Sequence, residues 1–357
     1  MTKIKNIIIK NNAVFGQQNR LRISATDNIV AGSANRINGI TSNSAVFGRG
    51  NILSEEANSN LVGGVDNNIG LFASKNLVAG DDNSLGEDAS RNLVTGRNNN
   101  LGANADLNSV SGGGNALGED ALANAVSGGG NVLGNGSENN AIFGQENRLG
   151  FNRSAGPDGI FGTNDDLFVP AGTGDVGGNG NLVAGREHAL GQNSGFNVVG
   201  GLDNIVGDSS DTNLLTGGFN QVGDSSFNNA VSGFQNILGS RNEDNNVSGA
   251  SNALGTRSTT NAVSGSSNSL GDANDSNIVS GSNNATGEKN RDNIVSGNNN
   301  RLGDLVRDSS VSGADNEIAG GTGDNVRSSI HIAGSENRIN ERSEQGSHIG
   351  ILGSNNS

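Results

Sequence analysis

The stretch Asn261-Ala262-Val263-Ser264-Gly265-Ser266-Ser267-Asn268-Ser269-Leu270-Gly271 decides the fold. The five small or polar residues Asp272-Ala273-Asn274-Asp275-Ser276 follow it, and Asn277 then starts the same pattern again. Stepping by sixteen from Asn12 meets Asn28, Ser44, Asn60, Asn76, Asn92, Asn108, Asn124 and Asn140. The register breaks once and resumes at Asn181, running through Asn197, Asn213, Asn229, Asn245, Asn261, Asn277, Asn293 and Ser309. After a slip of five residues a nineteenth unit starts at Ile330. The third position is aliphatic in every unit, and the fifth is always Gly. The tenth is aliphatic except at Thr286, and the eighth is Asn except at His188. A low-complexity chain is either disordered or a regular repeat, and only a repeat needs aliphatic residues held in register.

Each unit reads as one coil of an all-β, parallel β-solenoid of nineteen 16-residue coils. Val-x-Gly is a short strand whose side chains alternate between faces, so that Val points inward with the first and fifth positions. Leu at the tenth position does the same from the opposite wall, giving a thin core. The fifth-position Gly marks a place needing positive φ or a close approach of stacked backbones. The Asn columns, represented by Asn19, Asn35, Asn115, Asn131, Asn236 and Asn268, are expected to point inward as amide ladders that bond neighbouring coils. The fourteenth position is small (Ala57, Ala73, Ala89, Ala105, Ala121, then Ser194, Ser210, Ser226) and suits the narrow end of the loop. At about 4.8 Å per coil the stack would be a rod on the order of 90 Å long. The expected organisation is an N-terminal cap (1–11), nine coils (12–155), an insertion (156–180), ten coils (181–345) and a C-terminal cap or tail (346–357).

Composition agrees. The 357 residues include 58 Gly, no Trp, Tyr or Cys, one Met and 11 Phe, too few large side chains for a conventional core. A net charge of −14 argues against nucleic acid, whose phosphates call for Lys and Arg, and against anionic membrane surfaces. No apolar run approaches the roughly 20 residues of a membrane span, so membrane insertion is not expected. The apolar stretch within Met1–Lys10 is too short for a signal peptide.

The Asn-x-Val-x-Gly units resemble two groups of left-handed β-roll proteins. One is the grass antifreeze proteins, with short Asn-x-Val-x-Gly repeats and inward Asn ladders. The other is the YadA-like heads of trimeric autotransporter adhesins. The resemblance implies a left-handed coil and an extracellular or cell-surface location, and with the adhesin heads a homotrimer.

If the odd positions of the first strand face inward, the second and fourth face out. The second-position residues Ile29, Leu61, Leu77, Leu93, Leu182, Val198, Leu214, Ile278 and Ile294, with Phe15, Phe47 and Phe143 at the fourth, form an apolar stripe. Neither position carries a charge in the first eighteen coils. A long uncharged stripe points to burial against something. The first reading is a non-enzymatic structural or adhesive module that self-associates, as a trimer by analogy with the adhesin heads. The second is a monomeric ice-binding protein, although regular Thr columns are sparse. A host or matrix surface or a polysaccharide is a further partner.

The insertion contains Gly156-Pro157-Asp158-Gly159-Ile160-Phe161-Gly162-Thr163-Asn164-Asp165-Asp166, with Asp175 beyond it. Clustered Asp and Asn oxygens with Gly at sharp turns suit Ca²⁺, with Asp158, Asn164, Asp165, Asp166 and Asp175 as candidate ligands; an ordinary polar loop is the alternative. The segment resembles the Asp-Gly-x-x-Gly-Thr-x-Asp-Asp loops of secreted calcium-binding repeat proteins. Catalytic constellations are missing: His188, His331 and His348 lie in distant coils, and the Gly113-Gly114 and Gly129-Gly130 runs have no following helix or Lys to cradle a phosphate.

Overall fold

A computed structural model describes residues 11–22, 24–154, 167–170, 178–321, 326–340 and 348–357. It is all-β and solenoidal, with the expected sixteen-residue coil. The chain divides into two compact units, Met1–Asn193 and Ser194–Ser357. The first unit has ten coils, ending with the one that starts at Asn181. The second has nine, from Asn197 to the one that starts at Ile330.

Each coil lays down a long strand of five residues (six in Ile330–Ser335) and a two-residue strand, and within each unit these pair in parallel with their equivalents in adjacent coils. Ala262–Ser266 shows the register: Ala262 faces Ile278, Val263 faces Val279, Ser264 faces Ser280 and Gly265 faces Gly281. Like therefore stacks on like, which is why the sequence period is so strict. Ser269–Leu270 pairs with Ala285–Thr286 to continue the shorter wall. Val263 and Leu270 are each 2% exposed, and the aliphatic columns fill the interior of both units.

The coil has a third side that the two-wall expectation did not contain. Single-residue parallel bridges run along the fifteenth position, through Ser90, Asp106, Leu122 and Glu138 in the first unit. In the second they run through Asp211, Phe227, Glu243, Thr259, Asp275 and Arg291. The cross-section is therefore three-sided, with Val, Leu and the small fourteenth residue lining the interior.

The turns between sides are residues in the left-handed region. In the coil from Asn261 these are Ser267 (φ 55°), Ala273 (φ 56°) and Ser276 (φ 55°), the seventh, thirteenth and sixteenth positions. The fifth-position Gly adds another kind of bend. Gly265 has φ +108°, and a Cβ built on it would overlap the carbonyl oxygen of Gly281 in the next coil. Both reasons for an obligatory Gly, positive φ and close backbone approach, thus act at one residue. At the eleventh-position Gly287 only the second applies: a Cβ there would come within 2.8 Å of the Gly303 carbonyl carbon and the Asp304 nitrogen of the next coil.

Two places depart from the repeat. The chain leaves the coil after Leu149–Gly150 and forms an antiparallel pair, Phe151–Ser154 with Leu167–Pro170, so the excursion starts before the expected residue 156. The candidate calcium ligands Asp158, Asn164, Asp165, Asp166 and Asp175 all lie outside the described residues, as does the expected cap through Lys10. In the slipped coil, Arg327 takes the register place of Val306. Its guanidinium donates to the carbonyls of Gly320 and Asn340, both at 3.0 Å. The C-terminal segment is no irregular tail. Ile349–Ser354 adds a further parallel strand to Ile330–Ser335, and Asn356 extends the Asn column. The signal was present in Ile349-Gly350-Ile351-Leu352-Gly353-Ser354-Asn355-Asn356, which repeats the third-, fifth- and eighth-position pattern.

Candidate binding face

The inward columns set the precision of the outward ones. At the eighth position, the Asn115 backbone N–H and side-chain amide both donate to Asn99 Oδ1, at 3.2 and 2.9 Å. The same amide donates to the Ser111 carbonyl at 3.2 Å and to the Gly128 carbonyl of the next coil at 3.1 Å. The Gly bend thus aims its carbonyl into the ladder. Asn35, Asn131, Asn236 and Asn268 make the same bonds to preceding Asn side chains. Asn19 heads the column and is only half-buried. His188 is fully buried in this column, its N–H donating to Asn147 Oδ1 at 3.2 Å. A second ladder runs at the first position: Asn108 donates from N and Nδ2 to Asn92 Oδ1, and from Nδ2 to the Ala121 carbonyl at 2.8 Å. Buried amides satisfied at every lone pair are rigid and hold the coils in one register.

With the register fixed, alternation carries the second and fourth positions to the outer surface of the long-strand wall. In the first unit, Ile29, Leu61, Leu77, Leu93 and Leu182 are exposed beside Phe15, Phe47 and Phe143. In the second, Val198, Leu214, Ile278 and Ile294 are exposed. The structure places all twelve expected stripe residues on the surface; Leu77, the least open, is 39% exposed against 0% for Val78 beside it.

The two units differ at the sixth position, the rim of this face. The first unit has Arg49, Asp81, Arg97 and Arg186 there, with Asp81 opposite Arg97. In the second unit, the eight strands from Val198–Leu202 to Ser310–Ala314 carry no charged residue at any position. Six of those strands in succession place Ser at the fourth position, from Ser232 to Ser312, in direct register.

Sequence reasoning missed an aromatic pair beside this wall. Phe219 and Phe234, on successive coils, meet edge to face with ring centroids 5.2 Å apart. The pair occupies the seventh position of one coil and the sixth of the next, which a search of equal positions does not connect. Elsewhere, Arg91 and Asp106 form an exposed ion pair across adjacent coils, with Arg91 Nε donating to Asp106 Oδ1 at 3.0 Å. That hydrogen bond, and then the carboxylate's charge, raise the Arg91 guanidinium above its ordinary value.

Among the described residues, no group of three His, Cys, Asp or Glu is placed to hold a metal ion. No helix among them is long and apolar enough to cross a membrane. Neither a protein-family model nor a characterised protein matches the chain.

Proposed function

We propose that this chain is a non-catalytic structural module, working outside the cell or on its surface, whose long-strand wall is buried against further copies of itself. The exposure of all twelve stripe residues, at positions that carry no charge in the first eighteen coils, carries this reading. An apolar stripe repeated coil after coil costs solubility unless it is covered. A second copy is the partner of choice because the wall is self-similar, so its own register offers matching spacing at about 4.8 Å. Three copies per assembly is the number the resemblance to adhesin heads implies.

Single charges placed in the stripe test it. Leu77→Asp in the first unit or Ile278→Asp in the second should leave the fold intact, because both side chains point away from the core. Light scattering of each variant should then give the single-chain mass of 36.0 kDa. Variants that keep the wild-type assembly would remove the wall from the interface. A wild-type protein already at the single-chain mass would overturn self-association and favour ice binding, which ice-crystal shaping reads directly.

A further inference from the structure

We propose that the coil from Asn277 to Asp292 encloses a structural water molecule held by Thr286 and Asn290. Thr286 is the one polar residue in the tenth-position column, stacked between Leu270 and Leu302. It is 5% exposed, and Asn290, at the fourteenth position of the same coil, is fully buried. The Thr286 hydroxyl and the Asn290 side-chain nitrogen are both sealed from solvent and lack a hydrogen-bond partner in the protein. Buried polar groups are almost always hydrogen-bonded, so two orphans in one coil call for a ligand.

Neighbouring coils show what is missing. Asn274, one coil earlier, donates from Nδ2 to the carbonyls of Gly271 and Gly287 at 2.7 and 2.9 Å. Asn290 keeps the ladder's other half: its N–H donates to Asn274 Oδ1 at 3.0 Å, and its own Oδ1 accepts from the Val306 N–H at 2.6 Å. This last bond fixes the orientation of the amide, so the unpartnered atom is a donor. The next residue of the column is Val306, whose side chain can accept nothing. Thr286 also has one side-chain heavy atom fewer than the Leu above and below it, so it fills its layer of the column less completely.

The chemistry selects the ligand. A metal cation needs acceptors, and Asn290 presents an N–H. An anion would lie in an apolar interior with no charged partner, at a large desolvation cost. Water accepts from Asn290 Nδ2 and donates to the Thr286 oxygen, and a site with two or more polar partners suits a buried water.

The test is a high-resolution crystal structure of the full chain with two variants, Thr286→Val and Thr286→Leu. Wild type should show a water peak within hydrogen-bond distance of both Thr286 Oγ1 and Asn290 Nδ2. Val keeps the branched shape but removes the hydroxyl, and should lose the peak; Leu should fill the space and also lose it. Should either variant fail to fold, water-to-amide magnetisation transfer at the labelled Asn290 side chain of the wild type decides the question. A long-lived cross-peak supports the water. No density and no cross-peak in wild type, or an unchanged peak in Thr286→Val, would overturn the proposal.

Discussion

The two units share both walls and both Asn ladders, yet they fill the third corner of the coil differently. In the first unit the fourteenth position is mostly Ala: Ala57, Ala73, Ala89, Ala105 and Ala121 are all 0% exposed. In the second it is a third ladder of Ser and Asn. The Ser226 N–H donates to Ser210 Oγ at 3.1 Å, Asn242 N–H to Ser226 Oγ at 3.2 Å, and Ser258 N–H to Asn242 Oδ1 at 2.8 Å. Asn274 and Asn290 carry the chain on. The same backbone thus accepts either close-packed methyl groups or a continuous line of hydrogen bonds. Methyl groups, hydroxyls and amides all fit this corner, provided that no polar member is left half-bonded.

The largest expected effect lies where the units do not differ. Gly96→Ala in the first and Gly265→Ala in the second each drive a Cβ into the next coil's carbonyl, at Gly112 and Gly281. Each should cost at least about 3 kcal/mol, read as a lowered denaturant midpoint. A tolerated alanine at either place would contradict the stacking. Next come the shared ladders. Asn268→Leu leaves Asn252 Oδ1 and the Gly281 carbonyl without the amide donor they now share, and should cost about 2–4 kcal/mol. Asn115→Leu should match it, and a large disparity would mean that the ladders carry unequal weight.

The third corner separates the units. Asn274→Ala should cost about 1–3 kcal/mol, because it orphans acceptors at Gly271 and Gly287 and the Asn290 N–H. Ala105→Ser in the first unit should cost under about 1 kcal/mol, because Ser137 in the same column already donates to the Gly134 carbonyl at 2.8 Å. Equal effects of Asn274→Ala and Ala105→Ser would erase the distinction. The smallest effect belongs to the exposed pair: Arg91→Gln should leave the thermal midpoint where it was, a shift beyond scatter being the contrary result.

Legibility in the sequence followed which way a side chain points. Val263, Leu270 and Asn268 face inward and stack on their equivalents, so their identity is constrained and their period shows. Leu77 and its fellows could be assigned to the surface because alternation from a buried Val leaves no other place. The third side was hidden for the opposite reason. Its bridging residues, including Asp106, Leu122, Glu138, Phe227 and Arg291, are joined by backbone bridges and point outward, so acidic, basic, aliphatic and aromatic side chains all serve and no pattern forms. The third ladder was masked by chemistry: Ser210 and Ser226 read as merely small, like Ala, and Asn274 and Asn290 break that reading only when their partners are known. Thr286 was visible as the exception in its column, but its meaning depended on Asn290, four residues later and one corner away.

The mass of the wild-type protein in solution, by light scattering across a range of concentrations, tests the proposed role most directly. Burial of the long-strand wall between copies predicts a whole-number multiple of the 36.0 kDa chain, three by the adhesin resemblance, stable on dilution. A monodisperse particle of 36.0 kDa at every concentration would contradict it.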